Sequence, residues 1–188
     1  MGPNVSQARD RLLEQLREHA LVIGDVVLTS GARAQYLVDA KRAILRPEGF
    51  AALAELVAAQ AAVWKASAVG GMTMGADPIA CAALAGGAQV KAFFVRKEAK
   101  GHGLGRRIEG PLLGAEDRCM LVEDVITTGG STIRALEAVR EEGLSVCGVL
   151  AVCDRLAGGA DAIRAASGVP FVALTTIDEV YPERPDKA

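Results

Sequence analysis

The chain has 188 residues, its formal net charge is −2 at pH 7, and hydrophobic residues make up 51% of it, which suits an ordered globular domain with a substantial core. The near-neutral charge gives no overall attraction to nucleic acid or to an anionic membrane. No apolar run reaches the ~18 residues of a membrane span, and the N-terminus lacks a basic-then-apolar secretory pattern, so we expect a cytoplasmic protein with neither nucleic acid nor membrane as a partner.

Helical and strand-like patterns alternate along the chain. In order, the predicted elements are a helix at residues 6–19, hairpin strands at 26–28 and 36–39, a helix at 48–65, a strand at 65–69, a helix at 77–85, a strand at 90–95, a loop at 96–114, a strand at 119–122, a helix at 132–142, a strand at 146–153, a helix at 161–167, a strand at 169–174 and a last turn capped by Thr176. The first helix is amphipathic, because Leu12, Leu13 and Leu16 share one side. Pro47 stands at a favoured helix start, and Asp77 is the expected N-cap of the next helix. Strands that alternate with helices predict an α/β fold with a doubly wound, mainly parallel sheet.

The residues that follow the predicted strands converge on one edge of the sheet. Ligands of such sheets bind at the carboxyl ends of strands. Four stretches are predicted to lie there: Gly70-Gly71, Arg96-Lys97, Glu123-Asp124 and Asp154-Arg155. Because all four meet at one edge, the sequence predicts a ligand site. No linker is visible, so we predict one domain over residues 1–188.

The strongest local signal is a strand followed by two acids and a glycine turn. Residues 119–131 read Cys-Met-Leu-Val-Glu-Asp-Val-Ile-Thr-Thr-Gly-Gly-Ser, and helical spacing follows. Gly129 and Gly130 allow backbone angles closed to other residues, and the unpaired amides of a helix start favour a phosphate. Glu123 and Asp124 would repel a phosphate but accept hydrogen bonds from sugar hydroxyls. A ribose phosphate therefore suits both parts of the stretch.

Two common phosphate motifs are excluded at this turn. The P-loop needs Gly-Lys-Ser/Thr at a spacing that is absent here, and Gly129-Gly130 lack the spacing of the dinucleotide fingerprint. Taken alone, the turn is also compatible with ordinary capping of a helix after a strand.

The cysteines predict neither a metal site nor a disulfide framework. No two of them have CxxC spacing, and each lies in an apolar stretch, so we expect buried thiols. They are Cys81, Cys119, Cys147 and Cys153.

Residues 96–114 form a glycine-rich loop that concentrates positive charge. Its first part, residues 96–107, holds five basic residues and one of the two histidines, although the whole chain is slightly acidic. Taken alone, such a loop is either a solvated surface segment or a lid over a polyanion, in which Lys97, Lys100 and His102 neutralise a leaving group. A nucleic-acid patch is disfavoured because no aromatic residues interleave.

These stretches together resemble a known enzyme family. Residues 119–131 are similar to the phosphoribosyl-pyrophosphate (PRPP) signature of type I phosphoribosyltransferases. Residues 96–103, Arg-Lys-Glu-Ala-Lys-Gly-His-Gly, resemble the mobile catalytic loop of the orotate phosphoribosyltransferases. Cys153-Asp154-Arg155 resembles the Asp-Arg at a strand end of that family, in which the arginine binds the orotate carboxylate.

The resemblance implies transfer of the ribose 5-phosphate group of PRPP to N1 of orotate, with release of pyrophosphate, in de novo pyrimidine synthesis. It also implies Mg²⁺ held mainly by PRPP and water, without protein metal ligands, and a homodimer with shared active sites. The catalytic residues that it implies are Lys97, Lys100, His102 and Asp124. The implied PRPP-binding residues are Arg96, Lys97, Lys100, His102, Glu123, Asp124, Val125, Ile126, Thr127, Thr128, Gly129, Gly130 and Ser131. The implied orotate-binding residues are Thr127 and Arg155.

The chain departs from the family in the hood that covers the base, at about residues 20–45. Many family members carry a lysine before the Ser-Gly of the hood, where this chain has Thr29. The loop at residues 70–75 also lacks a lysine that is frequent in the family. The candidates to substitute are Arg33, Lys41 and Arg42.

Other interpretations stay open at this point. A phosphoribosyltransferase for a purine would share the PRPP signature, but a purine has no carboxylate for Arg155 to bind. A PRPP-sensing regulator would need a nucleic-acid surface, for which this chain offers no spare segment. Taken alone, Arg155 would equally suit an ion pair with Asp154 or Asp161. The residues after Pro182 show no readable function.

Overall fold

The computed structural model describes residues 3–27, 33–98 and 107–187. Its helices are α1 Pro3–His19, α2 Lys41–Ile44, α3 Pro47–Trp64, α4 Asp77–Ala85, α5 Gly130–Glu141, α6 Gly159–Ser167 and α7 Ile177–Val180. Its strands are β1 Leu21–Val27, β2 Arg33–Val38, β3 Ala68–Met72, β4 Lys91–Val95, β5 Ile108–Glu109, β6 Arg118–Ile126, β7 Ser145–Asp154 and β8 Phe171–Thr176. Within these ranges, none of the helices combines the length and the apolarity needed to cross a membrane.

The main sheet has the strand order β5-β4-β3-β6-β7-β8. β3 lies parallel to β4 and β6, and β7 lies parallel to β6 and β8. The short β5 pairs antiparallel with β4 at one edge. The predicted α/β fold with a mainly parallel sheet is confirmed.

Alternate residues of β6 enter two separate cores, one on each face of the sheet. Met120 and Val122 belong to the core that includes residues of α1, α3 and α4. Cys119 and Leu121 belong to the core that includes residues of α5 and α6. Because helices cover both faces, the strand reads as a continuous apolar run. The strand ends are then the part of the sheet that a ligand can reach.

β1 and β2 form a separate antiparallel hairpin, as predicted. β1 begins at Leu21 rather than at Val26, because Leu21 already pairs with Val38. A register shift between Ile23 and Val26 interrupts the pairing. Apolar and polar residues therefore do not alternate regularly in the early part of the strand. Residues 28–32, which carry the Ser-Gly of the predicted hood, lie outside the described ranges.

β3 contains Gly70 and Gly71, although the sequence pattern predicted that they follow the strand. The strand begins at Ala68, because Lys65 ends α3 in the left-handed conformation with φ 50°. A Cβ at Gly70 would lie 2.2 Å from the carbonyl oxygen of Phe93, so the close approach of β4 requires glycine inside the strand.

β6 continues to Ile126, so Glu123 and Asp124 lie inside the strand rather than at its end, where they were predicted. Pairing with β7 is the physical reason. Glu123 pairs with Ala151 and Ile126 pairs with Asp154, and this ladder offsets the low strand propensity of the acids.

Smaller differences concern helix caps and the glycine-rich loop. Ala76 already has helical angles and is the N-cap residue of α4, so the predicted Asp77 cap is wrong. Thr176 forms the predicted cap, in a capping box with Glu179. Part of the predicted loop, residues 108–109, forms β5 because it pairs with the end of β4.

The cysteine prediction holds in part. Cys119 and Cys153 are buried and Cys147 is partly buried, but Cys81 is exposed. Cys81 lies on the outer side of α4, where helical periodicity turns one residue of an apolar stretch to solvent.

Candidate active site

Glu123 and Asp124 form an acid pair near the carboxyl end of β6, with 7% and 9% of their surface exposed. Thr132 Oγ1 donates to Glu123 Oε2 over 3.3 Å, and the Val125 amide donates to Asp124 Oδ1 over 2.8 Å. Gly75, in the loop after β3, lies against the pair, since a Cβ there would be 2.5 Å from Asp124 Oδ1. The strand, the start of α5 and this loop therefore enclose the two carboxyl groups.

Burial raises the pKa of Glu123 above its usual range, and the charge of adjacent Asp124 adds to the rise. Glu123 therefore keeps its proton at a pH where an ordinary glutamate has lost it. The two carboxyl groups also form a hydrogen bond with each other, and their remaining oxygen lone pairs can accept hydrogen bonds from adjacent sugar hydroxyls.

The turn from β6 into α5 forms a small cradle. Gly129 has φ 81° and is the N-cap residue of α5. A Cβ there would also lie 2.9 Å from Ile163 Cγ1 on α6, so both the backbone angle and the packing require glycine. The first amides of α5 have no carbonyl partner within the helix, and the positive end of the helix dipole lies at the turn. The cradle encloses about 140 Å³ and is lined by Glu123, Val125, Ile126, Thr127, Thr128, Gly129, Gly130, Ser131 and Thr132.

A larger cavity of about 610 Å³ lies at the carboxyl ends of β3 and β4. It is lined by Thr73, Met74, Asp77, Phe94, Arg96, Lys97, Glu98 and Glu109. Burial raises the pKa of Asp77, whose Oδ1 is buried without a hydrogen-bond partner in the described part of the chain. Arg96 and Lys97 bring positive charge to this cavity, so it suits an anionic ligand. The predicted Lys100 and His102 lie outside the described residues.

Arg155 follows β7 and adjoins the cradle, because its amide donates to Ile126 O over 2.8 Å. Its Nη2 donates to the hydroxyl oxygen of Tyr36 over 2.9 Å and lies 3.8 Å from Asp186 Oδ2. The Tyr36 hydroxyl donates in turn to Asp186 Oδ1 over 2.9 Å. The hairpin, the end of β7 and the C-terminal tail therefore meet at Arg155.

The ion pairs considered for Arg155 in the sequence are not formed. Asp154 Oδ1 accepts from the Leu156 amide over 2.9 Å, and Asp161 pairs with Arg164 over 2.9 Å. Arg155 Nε is buried and finds no hydrogen-bond partner among the residues that the structure describes.

Lys41 reaches the acid pair from the start of α2. Its Nζ lies 2.9 Å from Asp124 Oδ2 and 2.9 Å from Asp39 Oδ1. Because 83 residues separate Lys41 from Asp124, no local pattern indicated this contact. Among the three substitutes named from the sequence, Lys41 is the one that the structure places at the acids.

Comparison with known proteins gives the family. No family model matches the chain. The orotate phosphoribosyltransferase of Corynebacterium glutamicum is 44% identical to it over 176 residues, which cover 93% of this chain and 95% of that protein. The chain belongs to the orotate phosphoribosyltransferase family. The family predicted from the sequence is thereby confirmed.

Solved structures of orotate phosphoribosyltransferases share the fold. The enzyme of Mycobacterium tuberculosis H37Rv in complex with Fe(III) dicitrate has a TM-score of 0.83 at 40% identity, over 93% of this chain and 99% of that one. The same enzyme in complex with PRPP has a TM-score of 0.78 at 36% identity, over 92% and 98%. The predicted type I phosphoribosyltransferase fold is confirmed.

In this orotate phosphoribosyltransferase family member, the predicted site residues that the structure describes lie at one edge of the sheet. The cradle, the acid pair, Arg96-Lys97 and Arg155 are all there, and their assigned roles stay predictions. Sequence reasoning missed Asp77 and Asp186 at this edge. Asp77 could have been found from its place at the start of the helix that follows a predicted strand, whereas no sequence signal indicates Asp186.

Proposed function

We propose that this chain transfers the ribose 5-phosphate group of PRPP to N1 of orotate, giving orotidine 5'-monophosphate and pyrophosphate in de novo pyrimidine synthesis. The observation that carries the proposal is the position of an anion cradle beside a buried acid pair at the end of β6. A cradle of about 140 Å³ suits one phosphate group, and the cavity of about 610 Å³ at the neighbouring strand ends suits a larger ligand.

The cradle binds the 5'-phosphate, and the acid pair binds the ribose. The free amides at the start of α5 and the hydroxyls of Thr127, Thr128 and Ser131 donate to the phosphate. Glu123 and Asp124 hold the 2'- and 3'-hydroxyls. These contacts orient C1' of the ribose relative to the acceptor, which is a positioning effect.

The basic residues beside the larger cavity stabilise the leaving group. When the bond between C1' and the pyrophosphate oxygen breaks, its electron pair leaves with the pyrophosphate and the ribose becomes cationic. Lys97 and Arg96 lie at the cavity and counter the charge that builds on the pyrophosphate. Lys100 and His102 are assigned the same role. Orotate N1 releases its proton to water, and the electron pair on N1 forms the new bond to C1' from the opposite face, so C1' is inverted.

Mg²⁺ is the proposed cofactor, and PRPP and water would supply most of its ligands. The residues present fit it, because Asp77 places a buried carboxylate oxygen without a hydrogen-bond partner, within the described ranges, at the larger cavity. When bound, Mg²⁺ neutralises part of the pyrophosphate charge. Lys97 and Arg96 supply the remaining positive charge from the protein.

Arg155 and Thr127 form the orotate end of the site. The planar guanidinium matches a carboxylate, and the approach of the Asp186 carboxylate to 3.8 Å supports this role. The homodimer, in which loop 96–114 reaches the partner's active site, and the cytoplasmic location stay predictions from resemblance and composition.

Loss of orotate absorbance in the ultraviolet tests the proposal with purified protein, PRPP and Mg²⁺. We expect loss that requires all of these components. Turnover of adenine in place of orotate would contradict the proposed acceptor. Binding of PRPP without turnover of either base would favour a PRPP-sensing regulator.

A further inference from the structure

Lys41 extends from a fixed part of the backbone. It is the first residue of α2, and its neighbours Ala40, Ala43 and Ile44 have no exposed surface. The ammonium group therefore approaches the acid pair from a packed base beside the hairpin rather than from a surface loop.

The Lys41 ammonium is the more exposed partner of its ion pair with Asp124. The side chain of Lys41 is 40% exposed, whereas that of Asp124 is 12% exposed. Burial alone would lower the pKa of Lys41, but the hydrogen bond to Asp124 and the nearby charge of Asp39 raise it. Lys41 is therefore charged throughout the neutral range, and a ligand that reaches Asp124 meets this charge.

We propose that Lys41 is a positioning residue for PRPP that acts through Asp124. The Asp124 carboxylate is held at both oxygens, Oδ1 by the Val125 amide over 2.8 Å and Oδ2 by Lys41 over 2.9 Å. The hydrogen bond from the ammonium therefore fixes the orientation of the Asp124 carboxylate, which accepts from a ribose hydroxyl. This inference rests on the proposed function, in which the acid pair holds the ribose hydroxyls.

Substitution of Lys41 tests the proposal in steady-state kinetics. Lys41→Met removes the charge and keeps the apolar stem, whereas Lys41→Arg keeps the charge. We expect Lys41→Met to raise KM for PRPP about tenfold, the effect of losing one charge-assisted hydrogen bond, while KM for orotate is unchanged. Lys41→Arg is expected to restore most of the loss. Arg46→Met is the matched control, because Arg46 is an exposed cation just beyond α2.

A pH profile separates positioning from mere stabilisation of the fold. The titratable groups that face the ammonium are Asp39 from the end of the hairpin and the Glu123–Asp124 pair from β6. Without the cation, the acid pair binds a second proton more readily. The acid limb of kcat/KM for PRPP therefore moves to higher pH in Lys41→Met and stays in place in Lys41→Arg and Arg46→Met.

Two results would overturn the proposal. One is a Lys41→Met variant that equals Arg46→Met in KM for PRPP and in pH profile. The other is an equal rise in both KM values with a lower Tm and an unshifted profile, which indicates a structural ion pair. The affinity for PRPP in the presence of Mg²⁺, measured by calorimetry, distinguishes failure of the Lys41 proposal from failure of the proposed function. A wild-type protein that binds PRPP but converts no orotate contradicts the function, while weaker binding by Lys41→Met would still support the role of Lys41.

Discussion

The guanidinium of Arg155 lies 4.7 Å from the centre of the Tyr36 ring, and its Nη2 donates to the Tyr36 hydroxyl over 2.9 Å. The contact joins the end of β7 to the hairpin across 119 residues of sequence. A cation over an aromatic face and a hydrogen bond from the same group stabilise one orientation of the arginine. The hairpin therefore holds the residue that we assign to the orotate carboxylate.

Arg155→Met is expected to raise KM for orotate and to leave KM for PRPP unchanged. The lost bond is charge-assisted and partly buried, so the rise should be about 30-fold or more. Steady-state kinetics with each substrate varied in turn measures it. Tyr36→Phe, which removes only the hydroxyl, is the milder companion variant. An equal rise of both KM values in Arg155→Met would count against a specific role at the orotate end.

Asp186→Asn is expected to lower KM for orotate. The Asp186 carboxylate lies 3.8 Å from Arg155 and accepts from Tyr36, so it competes with a ligand carboxylate for the same groups. Because Asp186 is 56% exposed, its ion pair is weak, and the change should be about two- to fivefold. Glu183→Gln, an exposed acid of the same tail, is the control for charge alone. An unchanged or higher KM in Asp186→Asn would show that the tail does not compete.

Glu123→Gln is expected to flatten the dependence of stability on pH. The folded-state pKa of Glu123 is raised by burial, chiefly, and by Asp124. Its contribution to the free energy of unfolding is therefore fully present below the ordinary pKa and is lost as pH rises through the raised one. Urea unfolding without ligand from about pH 5 to about pH 8 should show a fall in the wild type and a smaller fall in the variant. Equal slopes would contradict the raised pKa.

Asp117→Asn is expected to destabilise the fold without changing KM for either substrate. Asp117 is 3% exposed and accepts from Lys91 Nζ over 2.8 Å, Ser67 Oγ over 2.7 Å and the Gly114 amide over 2.8 Å. The loss should be about 1–3 kcal/mol at neutral pH. The cluster lies at the start of β6, at the opposite end of the strand from the acid pair.

Asp117 should also account for part of the loss of stability at acid pH. The hydrogen bond from Lys91, with those from Gly114 and Ser67, lowers the pKa of Asp117 to about 2. Its contribution is therefore present above the ordinary value of 3.8 and is lost as pH falls through the lowered one. Asp161→Asn, at an exposed acid, is the control and should keep the wild-type acid transition.

The sequence alone determined the features that depend on neighbours along the chain. Residues 119–131 predicted the cradle because a turn's backbone angles depend on its own residues, and Gly129 has the positive φ that the pattern indicated. The alternation of apolar runs and helical spacing predicted the parallel sheet for the same reason. The family followed from contiguous motifs and was confirmed. Residues 99–106 of the loop lie outside the described ranges, so their roles stay predictions.

Only the tertiary structure decided which distant groups share the site. Lys41 and Asp124 are 83 residues apart, and Tyr36 and Asp186 are 150 residues apart, yet each pair is in hydrogen-bond contact. The end of β6 was predicted wrongly, because hydrogen-bonded pairing with β7, rather than strand propensity, extends the strand through Glu123. The raised pKa of Glu123 likewise depends on burial by segments far along the chain. Charge partners, ladder partners and burial are set by the packing of remote segments, and no local pattern contains that information.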